Sequence, residues 1–168
     1  VIADRTQRSS QTVPHFYLTR DVDMSRAAEL REYLLQEYPE QRRPTYTEIM
    51  VRACALQLTR MPELNAVFHA DRAVRREAVD IGVVVEVEGG LLIPVVRNAD
   101  RASLSEVSQA VRRLAEDARR GTLSEGDMGG KSMSISNVGM YDVDAVFPII
   151  DINAPGTPWP VQSVAITI

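Results

Sequence analysis

Residues 126–139, GDMGGKSMSISNVG, bring together the only lysine, Lys131, and two serines, Ser134 and Ser136, that alternate with Met133 and Ile135. Two chemistries are open to this stretch. Gly130-Lys131-Ser132 looks like the end of a phosphate-binding loop, but that motif needs glycine at 125, where Glu125 stands. It also needs a helix after the lysine to gather backbone N–H groups around phosphate. Here the residues before the loop read as a helix and those after it as a strand, so a glycine-rich helix-to-strand connection is expected. The second chemistry belongs to the serines. Alternation puts both hydroxyls on one side of a strand spanning 133–138. A serine fixed at a strand end can donate to developing negative charge, whereas a purely structural one bonds backbone or water. Asn137 and Gly139 follow in a turn, where Asn137 either shapes the chain or touches substrate.

Elsewhere the inventory is short. His15 and His69 are the only imidazole bases. His15 reads as a partly buried, hydrogen-bonded residue, and His69, before a turn, as a surface residue; either could in principle accept a proton. Cys54 lies on an apolar helical face and reads as a small buried hydrophobe. No His, Cys or carboxylate set has metal-ligand spacing, so no metal is expected. There is no G-x-S-x-G elbow, and no carboxylate pair stands out for glycoside chemistry. Arg97, closing LLIPVVRN, can pair with a phosphate or make a structural ion pair.

These side chains need a scaffold. Thr12 to Asp23 is expected as a strand, with Phe16, Leu18 and Val22 on one face. Ser25 to Glu37 has helical spacing. Thr45-x-x-Glu48 is a capping box opening a helix from Thr47 to Arg60, stopped by Met61-Pro62. Val79 to Val87 and Leu91 to Val96 are apolar runs joined by Gly89-Gly90, a hairpin signal. Ser103-x-x-Glu106 is a second capping box, within a helix expected over Ala102 to Arg120. Its arginines Arg112, Arg113, Arg119 and Arg120, mostly off its apolar stripe, suit a solvated face near a helix C-terminus, with a binding patch for an anionic ligand as the alternative. Met133 to Val138 and Val164 to Ile168 complete the set. The pattern predicts an α/β domain with a mixed or antiparallel sheet.

Composition narrows the partners. The 168 residues are 45% hydrophobic and 25% charged, as in ordinary globular domains. Net charge is -4, so no basic field recruits nucleic acid. No apolar run approaches the ~20 residues of a membrane span, and no signal peptide is visible. One cysteine excludes an intramolecular disulfide and suits a reducing cytoplasm. Opening on Val1 without methionine suggests a processed chain or part of a longer one.

Four segments together resemble the catalytic domain of the dihydrolipoamide acyltransferases of 2-oxo acid dehydrogenase complexes. They are VPHFYLTRDVDMS (13–25), RMPELNAVF (60–68), VDIGVVVEVEGGLLIPVVRNADRASLSEV (79–107) and SMSISNVGMYDVDAVFPII (132–150), in the family's order. The resemblance implies a single catalytic domain over 1–168 with a chloramphenicol acetyltransferase-like two-layer sandwich. It implies homotrimers building a larger core, and acyl transfer between a dihydrolipoyl group and coenzyme A in a bacterial cytoplasm. A histidine would take the thiol proton, and a serine of the F-T-I-S-N-L-G segment would hold the oxyanion. That segment reads MSISNVG here, and its serine falls on Ser136. The family's D-H-R-x-x-D-G histidine motif has no counterpart in the sequence, and DINAPGTPWPVQSVAITI matches poorly beyond an N-x-P at Asn153-Ala154-Pro155. The C-terminal part of the domain is therefore expected to be missing. A relative that assembles without catalysing is the alternative. No lipoyl or subunit-binding domain is visible, so the lipoyl domain and the decarboxylase and dihydrolipoamide dehydrogenase components would be met through other domains. The acyl group stays open.

Overall fold

A computed structural model describes residues 2–40, 42–69, 72–152, 161–162 and 164–167. The elements run α1 (Ile2–Thr12), α2 (Ser25–Glu37), α3 (Tyr46–Arg60), β1 (Ala66–His69), β2 (Arg72–Arg75), β3 (Ile81–Val83), β4 (Val85–Val87), β5 (Gly90–Leu92), β6 (Val95–Val96), α4 (Leu104–Arg120), a short 3-10 turn (Glu125–Asp127), β7 (Met133–Ser136), β8 (Val161–Gln162) and β9 (Val164–Thr167).

Both capping boxes form as the spacing predicts. The Thr45 hydroxyl accepts from Glu48 N–H while the Glu48 carboxylate accepts from Thr45 N–H, and Ser103 and Glu106 repeat the arrangement. Each satisfies two donors that a helix start leaves unpaired. Helices α3 and α4 pack together over the main sheet. That sheet has the order β6-β3-β7-β9 and is mixed: β3 pairs antiparallel with β6 and parallel with β7, and β7 pairs parallel with β9. Val51, Ala55 and Leu58 of α3, Val107 and Leu114 of α4, and Ile81, Val83, Met133 and Ile135 of the sheet form the core between the layers. Each of the larger side chains contributes about 1.5–3 kcal/mol by leaving water, and Ala55 less.

The hairpin expected around Gly89-Gly90 is present but divided. β4 and β5 pair Val87 with Gly90 across Glu88-Gly89, and Gly89 takes φ +83. Val84 and Ile93-Pro94 separate this small ribbon from β3 and β6, which join the main sheet instead. Strands β1 and β2 form a further antiparallel pair, extended by β8. The turn expected after His69 lies outside the described residues, as does Asn153-Ala154-Pro155.

One expected element is overturned. Thr12 to Asp23 is not a strand: Thr12 ends α1, and residues 14–24 have no regular structure. No described strand lies alongside to complete a ladder. The periodic side chains therefore point outward, with Phe16 81% and Leu18 88% exposed. Helix α1 was not signalled because its side chains are mostly polar. It is held instead by distant bonds: Ser9 Oγ donates to Ile150 O, and Arg5 Nε to Ile152 O.

Gly82 marks the closest approach in the sheet. A Cβ there would meet Lys131 Cδ at 2.5 Å, Ile93 Cγ2 at 2.8 Å and Ser134 Oγ at 3.2 Å. Gly82→Ala is expected to destabilise by about 1–3 kcal/mol, read as a lower urea midpoint. An unchanged midpoint would show that these neighbours have room to move.

Candidate functional site

The site grows from how β7 is held. Met133 and Ile135 point into the core, so Ser134 and Ser136 share the opposite face, as alternation requires. Ser134 is buried over Gly82. Pairing with β3 covers Met133, Ser134 and Ile135, and the last bond on that side runs from Val84 N–H to Ile135 O. The chain of β3 then turns away into the β4–β5 ribbon. Among the described residues Ser136 keeps only β9 as a strand neighbour, opposite Thr167. It sits half-buried at the carboxyl end of a parallel strand, the edge at which open α/β sheets bind ligands. Its hydroxyl has no hydrogen-bond partner among the described residues.

The following turn is built by Asn137. Its Oδ1 accepts from Gly139 N–H at 3.0 Å, and its Nδ2 donates to Thr47 Oγ1 on α3 at 3.0 Å. Tyr141 N–H donates to Val138 O, and the Tyr141 hydroxyl donates to Glu86 of β4. That contact with a carboxylate raises the Tyr141 pKa. The strand end is thus tied both to the helix layer and to the ribbon.

Lys131 takes no part in a phosphate cradle. A strand follows it, and its ammonium lies 2.7 Å from Asp151, which also pairs with Arg5 of α1. Arg97 is committed to the loop ahead of β7. Its guanidinium donates to Asp80 Oδ2 at 3.3 Å, to Gly126 O from both Nε and Nη2, and to Met128 O. Four of its five N–H groups are engaged, which leaves one for a ligand. Asp80 also accepts from Arg76 and from Asn98 N–H. The same turn is held by Asp127, whose carboxyl lies well below the usual range because Arg113 and then Ser124 donate to it. Arg113 and Arg120 meet Asp117 on the exposed side of α4, in keeping with a solvated face.

His15 is half-buried with both ring nitrogens engaged. Nδ1 is 2.7 Å from Val13 O, and Nε2 accepts from Ile150 N–H at 3.0 Å. This is the structural role expected of it. Nothing is described of the His69 side chain. Cys54 is partly buried at the edge of the core, and burial pushes its thiol pKa up, which opposes nucleophilic use. Among the described residues, no three His, Cys, Asp or Glu side chains converge as a metal site, and no helix is long and apolar enough to cross a membrane.

The sequence reading missed Thr47, the partner of Asn137. Its only local signal was its place inside the Thr45–Glu48 capping box.

This arrangement matches a known family. The family description "2-oxoacid dehydrogenases acyltransferase (catalytic domain)" covers residues 1–156, and the chain belongs to that family. It is 36% identical to the dihydrolipoyllysine-residue acetyltransferase component of the pyruvate dehydrogenase complex of Zymomonas mobilis, over 90% of this chain and 34% of that protein. It is 34% identical to the succinyltransferase component of the 2-oxoglutarate dehydrogenase complex of Rickettsia typhi, over 89% of this chain and 38% of that one. The chain thus spans about a third of these relatives' length. Its fold superimposes on the dihydrolipoamide acetyltransferase of Azotobacter vinelandii with TM-score 0.83 and 29% identity, covering 89% of this chain and 63% of that one. The cubic core of a pyruvate dehydrogenase complex gives TM-score 0.81 at 25% identity, covering 95% and 73%.

The phosphate-loop reading has a direct check. Titration with ATP and magnesium is expected to produce no binding heat. Lys131→Met is expected to lower stability by about 1–2 kcal/mol through loss of the Asp151 tie. Saturable ATP binding that disappears in Lys131→Met would restore a nucleotide site.

Proposed function

We propose that this chain carries the oxyanion side of an acyltransferase site, moving an acyl group between a dihydrolipoyl group and coenzyme A. The observation that carries this reading is the Ser136 hydroxyl, unpartnered among the described residues at the carboxyl end of β7. A thiolate attacking a thioester carbonyl creates a tetrahedral oxyanion, which a fixed O–H donor stabilises more than it does the ground state. The carbonyl carbon gains the new C–S bond and loses the old one, and the departing thiolate takes back the proton. The proton acceptor for the incoming thiol is assigned to the family's D-H-R-x-x-D-G histidine, which these 168 residues do not contain. His15 does not replace it, because both its nitrogens are occupied.

Asn137 fixes the turn after Ser136. Arg97 contributes to coenzyme binding chiefly through the 125–128 turn that it holds, with one N–H left for phosphate. Support for the serine's role comes from the Azotobacter vinelandii acetyltransferase, where a serine is among the residues investigated for their role in the catalytic mechanism.

The working unit is a homotrimer within a larger core in the bacterial cytoplasm, reached by lipoyl domains and by the decarboxylase and dihydrolipoamide dehydrogenase components. Exposed Phe16 and Leu18, together with Met140 at 68% and Phe147 at 59%, favour such assembly. Tyr17 packs edge-on against Phe147, so the two extended segments that carry these residues adjoin each other. The same surface favours the second reading, an assembly module without catalysis, which predicts oligomers that transfer no acyl group.

Ser136→Ala in the full-length protein is expected to lower kcat for transfer from acyl-dihydrolipoamide to coenzyme A by about 10²–10³-fold, with little change in KM. Unchanged kcat would remove Ser136 from the mechanism.

A further inference from the structure

Resting on that assignment of Ser136, we propose that Thr47 is a positioning residue for it, acting through the Asn137 side chain. β7 has lost its β3 neighbour by the time it reaches Ser136, so the sheet alone no longer fixes the serine on that side. The turn must do so. Among the described residues, the side-chain bond from residues 137–141 to the helix layer is Asn137 Nδ2–H donating to Thr47 Oγ1 at 3.0 Å. Asn137 also accepts from Gly139 N–H, so a single amide both closes the turn and anchors it.

Thr47 is itself held rigidly. It lies in the first turn of α3, inside the capping box of Thr45 and Glu48. Glu48 is 2% exposed, and its carboxylate accepts from Arg42 at 3.1 Å, from Ser108 Oγ of α4 at 2.9 Å and from Thr45 N–H at 2.7 Å. Hydrogen bonds from α4 and Arg42 thus fix Glu48 at the α3 N-terminus, and Thr47, joined to it in the chain, carries that anchorage to the residue next to Ser136. Removing the Thr47 hydroxyl leaves the half-buried Asn137 amide without its acceptor and frees the strand end to shift. Small displacements of an oxyanion donor weaken catalysis more than binding.

The test uses the full-length assembled protein and four variants, assayed for acyl transfer from acyl-dihydrolipoamide to coenzyme A. Thr47→Val keeps the shape and loses the acceptor; it is expected to lower kcat about 3- to 10-fold, with KM for coenzyme A within about twofold. Thr47→Ser keeps the hydroxyl and is expected to retain kcat within about twofold. Ser136→Ala combined with Thr47→Val is expected to be no slower than Ser136→Ala alone, because Thr47 acts only through the serine. Thr47→Ala substitutes for Thr47→Val in both positions should the valine variant fail to assemble. A wild-type kcat in Thr47→Val, a loss carried by KM, or a Thr47→Val effect that multiplies the Ser136→Ala loss would overturn the positioning role alone. An undiminished kcat in Ser136→Ala would overturn the role assigned to Ser136 and this inference with it.

Discussion

The parallel pairing of β7 with β3 ends one residue before Ser136, and the rest of the architecture follows from that ending. Up to Ile135 the strand is flanked on both sides, and its core-facing side chains are locked beneath α3 and α4. Such a strand has little freedom. Beyond Ile135 the β3 chain departs into the β4–β5 ribbon, and an edge of backbone and hydroxyl groups opens. The sheet thus supplies a rigid base and stops where the proposed oxyanion donor, Ser136, needs room. Close packing at Gly82, where Lys131, Ile93 and Ser134 converge, keeps the β3–β7 pair tight up to that point.

Two buried carboxylates, Glu48 and Asp80, are each matched by several donors. Glu48, deep between the helices, is satisfied by an arginine, a serine hydroxyl and a backbone N–H. Removing any one partner of such a carboxylate is more damaging than the pair is stabilising. Asp80 plays the same part beside the loop that leads to β7, accepting from Arg76, Arg97 and Asn98. Neither cluster touches Ser136. Both determine where the segments around it lie, so they link stability to function through geometry rather than through charge at the reacting atoms.

What could be read from the sequence was local. Capping boxes are defined over four residues, so Thr45–Glu48 and Ser103–Glu106 appear as their spacing requires. Alternation placed Ser134 and Ser136 on one face because β7 is short and regular. The run from Phe16 to Val22 shows the limit: alternation reveals which side chains agree in direction, but a strand also needs a neighbour, and no described strand supplies one there. Helix α1 and the commitments of Arg97 and Lys131 rest on partners 17 to 147 residues away. No window of sequence contains such pairs. The family resemblance pointed to Ser136 but could not reveal Thr47, whose partner lies 90 residues along the chain.

The central claim is that the reacting sulfur meets this chain at the carboxyl end of β7. A structure of the full-length assembled protein with coenzyme A bound tests it most directly. The account predicts the pantetheine thiol within contact distance of the Ser136 hydroxyl, beside the turn fixed by Asn137. A thiol lodged elsewhere, with Ser136 facing no ligand, would contradict it.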